Sequence, residues 1–336
     1  EIASCLVGSE MCIRDRKILG GLAAACLAGV VAAGAAAAPP TLPATITMVV
    51  PFPPGGSNDV FARVLAEKLG GRVGATVIVE NRPGAGGAIG AEYVARAAKD
   101  GSVLMLSSST LTTNAAVQTN LKYDVARSFA PVAMLARSPM ALVVGQDSPY
   151  RSVADLLAAG RQEPGKLTYG SAGLGSVNQM ASEILAGGEK TSFTHVPYKG
   201  MSHALNDLAG GRVDFVIGSF ASTASLLKGG KLRVLAVTSP TRSPFFPDLP
   251  TIAEGQPGYS VELWWGVLAP AGTPAPLVER LNAEIRGIVN DPKMRAMFAE
   301  ESAVPAELTV AQFADLVQAD AARWKQVAAD RNISIQ

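Results

Sequence analysis

"PFPPGGSND", residues Pro51 to Asp59, joins an apolar run, "ITMVV" (Ile46 to Val50), to "VFARVLAEKLGGRVG", whose apolar residues recur at helical spacing. Strand, glycine turn, helix start is an order that suits an anion, because helix N-termini leave backbone N–H groups unpaired. Gly55 and Gly56 free the backbone, Ser57 adds a hydroxyl, and Asn58 and Asp59 are capping types. The lysine of G-x-x-x-x-G-K-[ST] is missing, so the turn is not a nucleotide P-loop. An ordinary capped helix start has the same composition, and this turn alone decides no function.

The pattern repeats along the chain. "TVIVEN" (76–81), "RPGAGG", "AIGAEYVARAAKDG" (88–101) and "SVLMLSSST" (102–110) read as strand, turn, helix and strand. A second set begins near Val153, alternating helices with the strands "KLTYGSAG", "FTHVPYKG", "DFVIGSF" and "LRVLAVTS". Such alternation argues for mostly parallel α/β sheets with helices on both faces. "FAPVAMLARSPMALVVGQDSP" (129–149) reads as two extended stretches separated by "RSP", and "VELWWGVLAPAGTP" (261–274) as an extended return. Two α/β sets joined by two crossings predict two domains hinged about a cleft, 44–140 with 264–336 and 141–263. Along the return, alternation sends Trp264 and Trp265 to opposite faces; one belongs to a core, and whether the other reaches cleft or hinge stays open. In open α/β sheets ligands sit beyond the carboxyl ends of strands. Five polar, small-residue turns end strands here: "PPGGSND", "SSST" (Ser107 to Thr110), "YGSAGLGS" (Tyr169 to Ser176), "YKG" (Tyr198 to Gly200) and "GSF" (Gly218 to Phe220). Coming from both halves, they predict one shared polar cleft.

Bulk numbers narrow the partners. The chain has 336 residues, 29 Lys+Arg against 28 Asp+Glu, and a net charge of +1, which gives no footprint for nucleic acid or an anionic membrane surface. Arg14, Arg16 and Lys17 precede the apolar, small-residue run Ile18 to Ala38, the layout of a secretory signal peptide over residues 1–37 with cleavage within Ala35 to Ala37. The stretch before it, "EIASCLVGSEMCIRD", carries no readable pattern. Cys5, Cys12 and Cys26 all precede that cleavage point, leaving the exported chain without disulfide, thiolate nucleophile or cysteine metal site.

Catalytic and cofactor motifs are poor. "RPGAGGAIG" misses the dinucleotide fingerprint, with Ile89 where the third glycine belongs and Gly90 one residue late. His195 in a strand and His203 on a helix lack metal spacing and read as structural. No G-x-S-x-G elbow occurs, and "SLLK" (Ser225 to Lys228) stands in the wrong order for a penicillin-binding set. The expectation is no enzyme, no metal and no cofactor.

Taken together, "ITMVVPFPPGGSND", "VIVENRPGAGGAIGAEYVARAAKDG", "LTYGSAGLGS", "HVPYKG", "RVLAVTS" and "GVLAPAGTP" resemble the Bug family, the TctC-type periplasmic solute-binding proteins of tripartite tricarboxylate transporters, across Thr45 to Gln336. The resemblance implies an α/β, two-domain Venus flytrap, each domain a mostly parallel sheet with flanking helices and two crossover strands as hinge. It implies capture of a small carboxylate by backbone N–H groups and hydroxyls, without an arginine clamp, and delivery to a membrane permease by a periplasmic monomer. Carried onto this chain, the ligand-binding residues are Phe52, Gly55, Gly56, Ser57 and Asp59 in the first turn, and Ser107, Ser108, Ser109 and Thr110 in the second. Ser171, Ala172, Gly173, Gly175 and Ser176 form the principal turn of the other domain, followed by Tyr198, Lys199 and Gly200, with Ser219 beyond. Many relatives carry an acidic residue after the strand that begins "VDF"; Gly218 and Ser219 stand here, which implies poor binding of amino acids. A ligand-presenting subunit for a sensor kinase has the same fold and site and is the alternative reading. A periplasmic enzyme would need the acid–base pair that is missing.

Overall fold

The computed structural model describes residues 41–188 and 191–335; the expected leader and all three cysteines lie outside the described residues. The first half runs β1 (Thr45–Val50), α1 (Ser57–Val73), β2 (Thr76–Asn81), α2 (Ala88–Ala95), β3 (Val103–Ser108), α3 (Thr110–Val117) and the single turn α4 (Val125–Ser128). The long strand β4 (Phe129–Gly145) leaves it. The second half follows as α5 (Val153–Gln162), β5 (Thr168–Ser171), α6 (Val177–Gly188), β6 (Thr194–Pro197), α7 (Met201–Ala209), β7 (Phe215–Ser219), α8 (Phe220–Lys228) and β8 (Leu232–Val237). The chain returns on β9 (Glu262–Pro270) and ends with α9 (Ala275–Val289), α10 (Pro292–Glu300), β10 (Val304–Pro305) and α11 (Val310–Asp330).

The strands hydrogen-bond in the order β2-β1-β3-β9-β4-β7-β5-β6, with β8 and β10 also on β4. β1 is parallel to both β2 and β3, and Ile46, Met48, Val49 and Val50 are fully buried. A parallel strand covered on both faces reads as the continuous apolar run seen in the sequence. β5 is parallel to β6 and β7 in the same way.

β4 departs from expectation. "RSP" does not divide it: the strand continues through Arg137, Ser138 and Pro139 and changes partner there. Up to Pro139 it pairs with β9, and from Met140 it pairs with β7. A proline cannot donate to a ladder, so its tolerated place is where one ladder ends and the next begins. α2 also stops at Ala95 rather than near Gly101, and α3, with its Thr-rich first turn, carried no helical signal.

Trp264 and Trp265 do point to opposite faces, but both are buried and neither lines a cleft. Trp265 meets Phe61 edge-on at 5.2 Å, and Phe61 meets Phe298 of α10 at 5.1 Å. On the other face Trp264 packs against Phe313 at 5.6 Å and its Nε1 donates to Asp320 at 2.9 Å. α11 spans about 30 Å at helical rise. Its Phe313 and Val317 belong to the core of the first half, its Trp324 and Ala328 to that of the second.

Phe61 therefore couples α1 to the return strand and to α10. Phe61→Ala should cost about 3–5 kcal/mol, the usual range for emptying a buried aromatic site. Urea denaturation measures it; a loss below about 1 kcal/mol would contradict this packing.

Candidate functional site

Register places the strand ends. Ser108, the last residue of β3, is opposite Trp265, and Trp265 is opposite Ala136 of β4. Ser219, the last residue of β7, is opposite Met140 of β4. Four steps of strand rise separate Ala136 from Met140, roughly 13 Å. The carboxyl ends of the parallel strands of both halves thus face each other across residues 136–140 of β4. The turns after β1, β3, β5, β6 and β7 open toward that gap.

In the first turn, Gly55 takes φ +90° and its N–H donates to Asp59 Oδ2 at 3.0 Å. The same carboxylate accepts two bonds from Arg63, at 3.0 and 2.9 Å, and one from Asn81 at 2.9 Å. Asn81 also donates to the Phe52 carbonyl at 3.1 Å. Asp59 is buried, and its carboxylate bonds within the turn, to α1 and to β2. Burial pushes its carboxyl up, yet Arg63, the Gly55 N–H and Asn81 together outweigh that and hold it below the ordinary value. Gly55 and Gly56 border open space, and Gly56 starts α1 without a side-chain cap. The first N–H groups of α1 therefore remain available, with the positive end of the helix dipole behind them.

Ser57 donates to the carboxylate of Glu301. Glu301 lies 244 positions away in sequence and was not legible there. Its backbone is tied to the hinge, because Ser138 Oγ donates to the Glu301 carbonyl at 2.7 Å. At the end of β3, the Ser107 and Ser109 hydroxyls are buried with no hydrogen-bond partner among the described residues. Ser108 Oγ reaches Thr110 Oγ1 at 3.3 Å, and the Ser109 carbonyl accepts the opening bonds of α3 from Thr112 and Thr113.

In the second half, Ser171 is fully buried, and its Oγ lies 2.6 Å from His195 Nε2. The Gly173 N–H donates to the same oxygen at 3.1 Å, and Oγ is 3.1 Å from the Gly173 carbonyl. Ser176 Oγ donates to that carbonyl at 2.7 Å, closing the turn over Leu174 and Gly175. Gly175 takes φ +74°, and a Cβ there would strike Val117 of α3, so the turn packs directly on the first half. Tyr198 donates its N–H to the Ser171 carbonyl at 3.1 Å, but its hydroxyl turns away to Asp207 at 2.8 Å. Lys199 is exposed, a Cβ on half-buried Gly200 would meet open space, and the Ser219 hydroxyl caps α8 by accepting from Ser222 N at 3.2 Å.

His195, expected to be structural, stacks on Tyr169 at 4.8 Å, and the Tyr169 hydroxyl donates to Glu183 at 2.6 Å. Burial lowers the imidazole to about 4. "RPGAGGAIG" also finds its reason. A Cβ on Gly87 would touch the Phe52 ring at 3.4 Å, and one on Gly90 would lie 2.8 Å from Pro51 Cβ. These glycines let α2 lie against the first turn; Asn114 of α3 donates to the Gly86 carbonyl and locks the loop. Among the described residues no group of three or more His, Cys, Asp or Glu could hold a metal ion. A separate surface cavity of about 560 Å³, lined by Gly145, Ser148, Gly210 and Lys231 among others, lies at the amino end of β7.

Two α/β halves, two crossing strands and anion-suited turns at their shared gap define the class: a two-domain binding protein of the periplasmic type. The sequence profile of the family described as the tripartite tricarboxylate transporter family receptor, TctC, matches residues 61–333, and this chain belongs to that family. It is 40% identical over 317 residues to a protein encoded between tcbD and tcbE in Pseudomonas sp. strain P51, covering 94% of each chain. It is 35% identical to BugT of Bordetella pertussis over 84% of this chain and 87% of that one. Among solved structures, R. palustris Rpa4515 with adipate superposes with TM-score 0.73 at 37% identity, covering 86% of this chain and 98% of that chain. MatC of Rhodopseudomonas palustris with bound malate gives 0.70 at 32%, covering 84% and 98%.

Two outcomes follow from the site's packing. Unfolding raises the His195 pKa from about 4 to its usual 6.5, so between these pH values the unfolded chain binds the extra proton. His195 therefore makes stability fall as pH drops through that window. Asp59, depressed when folded, adds a loss in the same direction as pH falls through the carboxylate range. Thermal denaturation of His195→Gln from pH 7.5 to 4 should show a shallower decline than wild type; an equal decline contradicts the assignment. Gly175→Ala should cost about 1–2 kcal/mol in urea denaturation from its left-handed backbone, and more from the clash with Val117; an unchanged midpoint contradicts the contact.

Proposed function

We propose that this chain is a periplasmic receptor, exported by its leader, that captures a small carboxylate between its two domains and presents it to a tripartite membrane permease. The division is 44–140 with 264–336 and 141–263. The receptor works as a monomer and leaves its ligand chemically unchanged. One observation supports the reading most: the uncapped start of α1 and the Ser171 turn both follow the carboxyl ends of strands whose neighbours end at residues 136–140 of β4. An anion spanning them meets a helix dipole and hydroxyls from one domain and backbone and hydroxyl groups from the other. The adipate of Rpa4515 and the malate of MatC support the choice of a carboxylate.

Ligand at a hundred times its dissociation constant should stabilise the protein by about 2.7 kcal/mol. Thermal unfolding against malate, adipate and succinate, with sugars and nucleotides as controls, should give shifts confined to carboxylates. Ser171→Ala should weaken binding by about tenfold, the scale of one hydrogen bond to a charged group. With Gly218 and Ser219 in place of an acid, aspartate and glutamate should bind less well than the matching dicarboxylates. A shift from sugars or nucleotides alone, or none after unfolding, dialysis and refolding, contradicts the reading.

A further inference from the structure

We propose that His195 is a positioning residue of this site: it holds the Ser171 hydroxyl as a hydrogen-bond donor to the bound carboxylate and takes up a proton as the carboxylate binds. The inference rests on the carboxylate reading above.

A serine hydroxyl has one hydrogen to give and two lone pairs to fill. Around Ser171 Oγ lie the Gly173 N–H at 3.1 Å, the Gly173 carbonyl at 3.1 Å and His195 Nε2 at 2.6 Å. The N–H fills one lone pair. If Nε2 is bare, Ser171 must give its only hydrogen to the ring, and nothing remains for a ligand oxygen. If Nε2 carries a hydrogen, it fills the second lone pair and the Ser171 hydrogen is free. In the empty protein that hydrogen rests on the Gly173 carbonyl. This carbonyl also accepts from Ser176 Oγ at 2.7 Å, so releasing it to a carboxylate leaves no orphaned acceptor. Anion capture at Ser171 therefore selects the ring with a protonated Nε2.

The same geometry couples binding to a second proton. A carboxylate oxygen accepting from Ser171 lies about 5 Å from Nε2, the sum of two hydrogen bonds. An opposite charge at that range raises an imidazole by one to three units. Reciprocity then requires protonation of the ring to tighten the carboxylate by the same factor. The groups around the ring leave room for this. Tyr169, stacked on it, gives its hydroxyl to Glu183, which Arg331 of the segment after α11 approaches at 3.7 Å. Tyr198, three residues on, binds Asp207, itself paired with Arg212 at 2.6 Å, and Lys199 is exposed. Burial is the cause that keeps the empty-site imidazole neutral.

The chain has two histidines, so nitrogen NMR of the full-length protein resolves His195, with His203→Gln assigning the other. The probe is whichever of malate, adipate and succinate gives the largest thermal shift. The expected result is an Nε2–H ring in the complex and a rise of one to two units in its titration midpoint when the probe binds. Titration calorimetry at pH 5.5 in two buffers of different ionisation heat should show proton uptake that is lost in His195→Gln. That variant offers an amide N–H toward Ser171 Oγ but cannot titrate, so the readout is how its affinity changes with pH rather than its absolute value. Wild type should tighten relative to it by about two- to tenfold between pH 7.5 and 5. A bare Nε2 in the complex, or an unmoved midpoint, overturns the proposal even if His195→Gln fails to fold. If no probe binds at either pH, the carboxylate reading fails and takes this proposal with it. Binding without any change at His195 sinks this proposal alone.

Discussion

The whole arrangement depends on β4 remaining hydrogen-bonded while it exchanges one neighbour for another at Pro139. Had the chain broken there, no shared strand would set the distance between the two sets of strand ends, leaving α11 and the Gly175 contact to relate the halves. Because it continues, the end of β3 and the end of β7 stand at Ala136 and Met140, a separation set by strand rise alone. The proline satisfies the change of partner without leaving an N–H unpaired. Ser138, fully buried between these positions, uses its hydroxyl to tether the Glu301 loop to the same segment.

Once the strand ends are fixed, local chemistry decides what each turn can do. A glycine-opened turn leaves N–H groups pointing outward only if something else holds it in shape, and the Asp59–Arg63–Asn81 network does so from behind. Ser171 is held likewise by His195 and the Gly173 backbone. On the proposed reading an anion meets dipoles and hydroxyls instead of a cation, while Asp59 and Arg63 bond to each other. Glu301, accepting from Ser57, places a negative charge beside the start of α1.

Much of the fold was legible because it is written in local patterns. Glycine turns after apolar runs gave the strands and their carboxyl ends, and the three terminal segments read as helical. α3 was not legible, since Thr110, Thr112 and Thr113 are poor helix formers and the segment is helical because it packs between α11 and the Gly175 turn. "RSP" looked like a break because proline is read locally, while its tolerance in β4 comes from a partner change that only the tertiary structure creates. In the site, the positions of the turns were readable and the direction of each side chain was not. Asp59, Tyr198 and Ser219 bond inward, whereas Ser107 and Ser109 are buried without partners among the described residues. Contacts made across hundreds of positions, such as Ser57 with Glu301, leave no local trace at all.

The central claim is that one anion bridges both sets of strand ends above residues 136–140. A crystal structure grown with a dicarboxylate tests it directly. The account predicts carboxylate oxygens within hydrogen-bond distance of the Gly55–Ser57 turn and of the Ser171–Ser176 turn in the same complex. A ligand held by one half alone, or seated in the cavity beside Gly145 and Lys231, would contradict it.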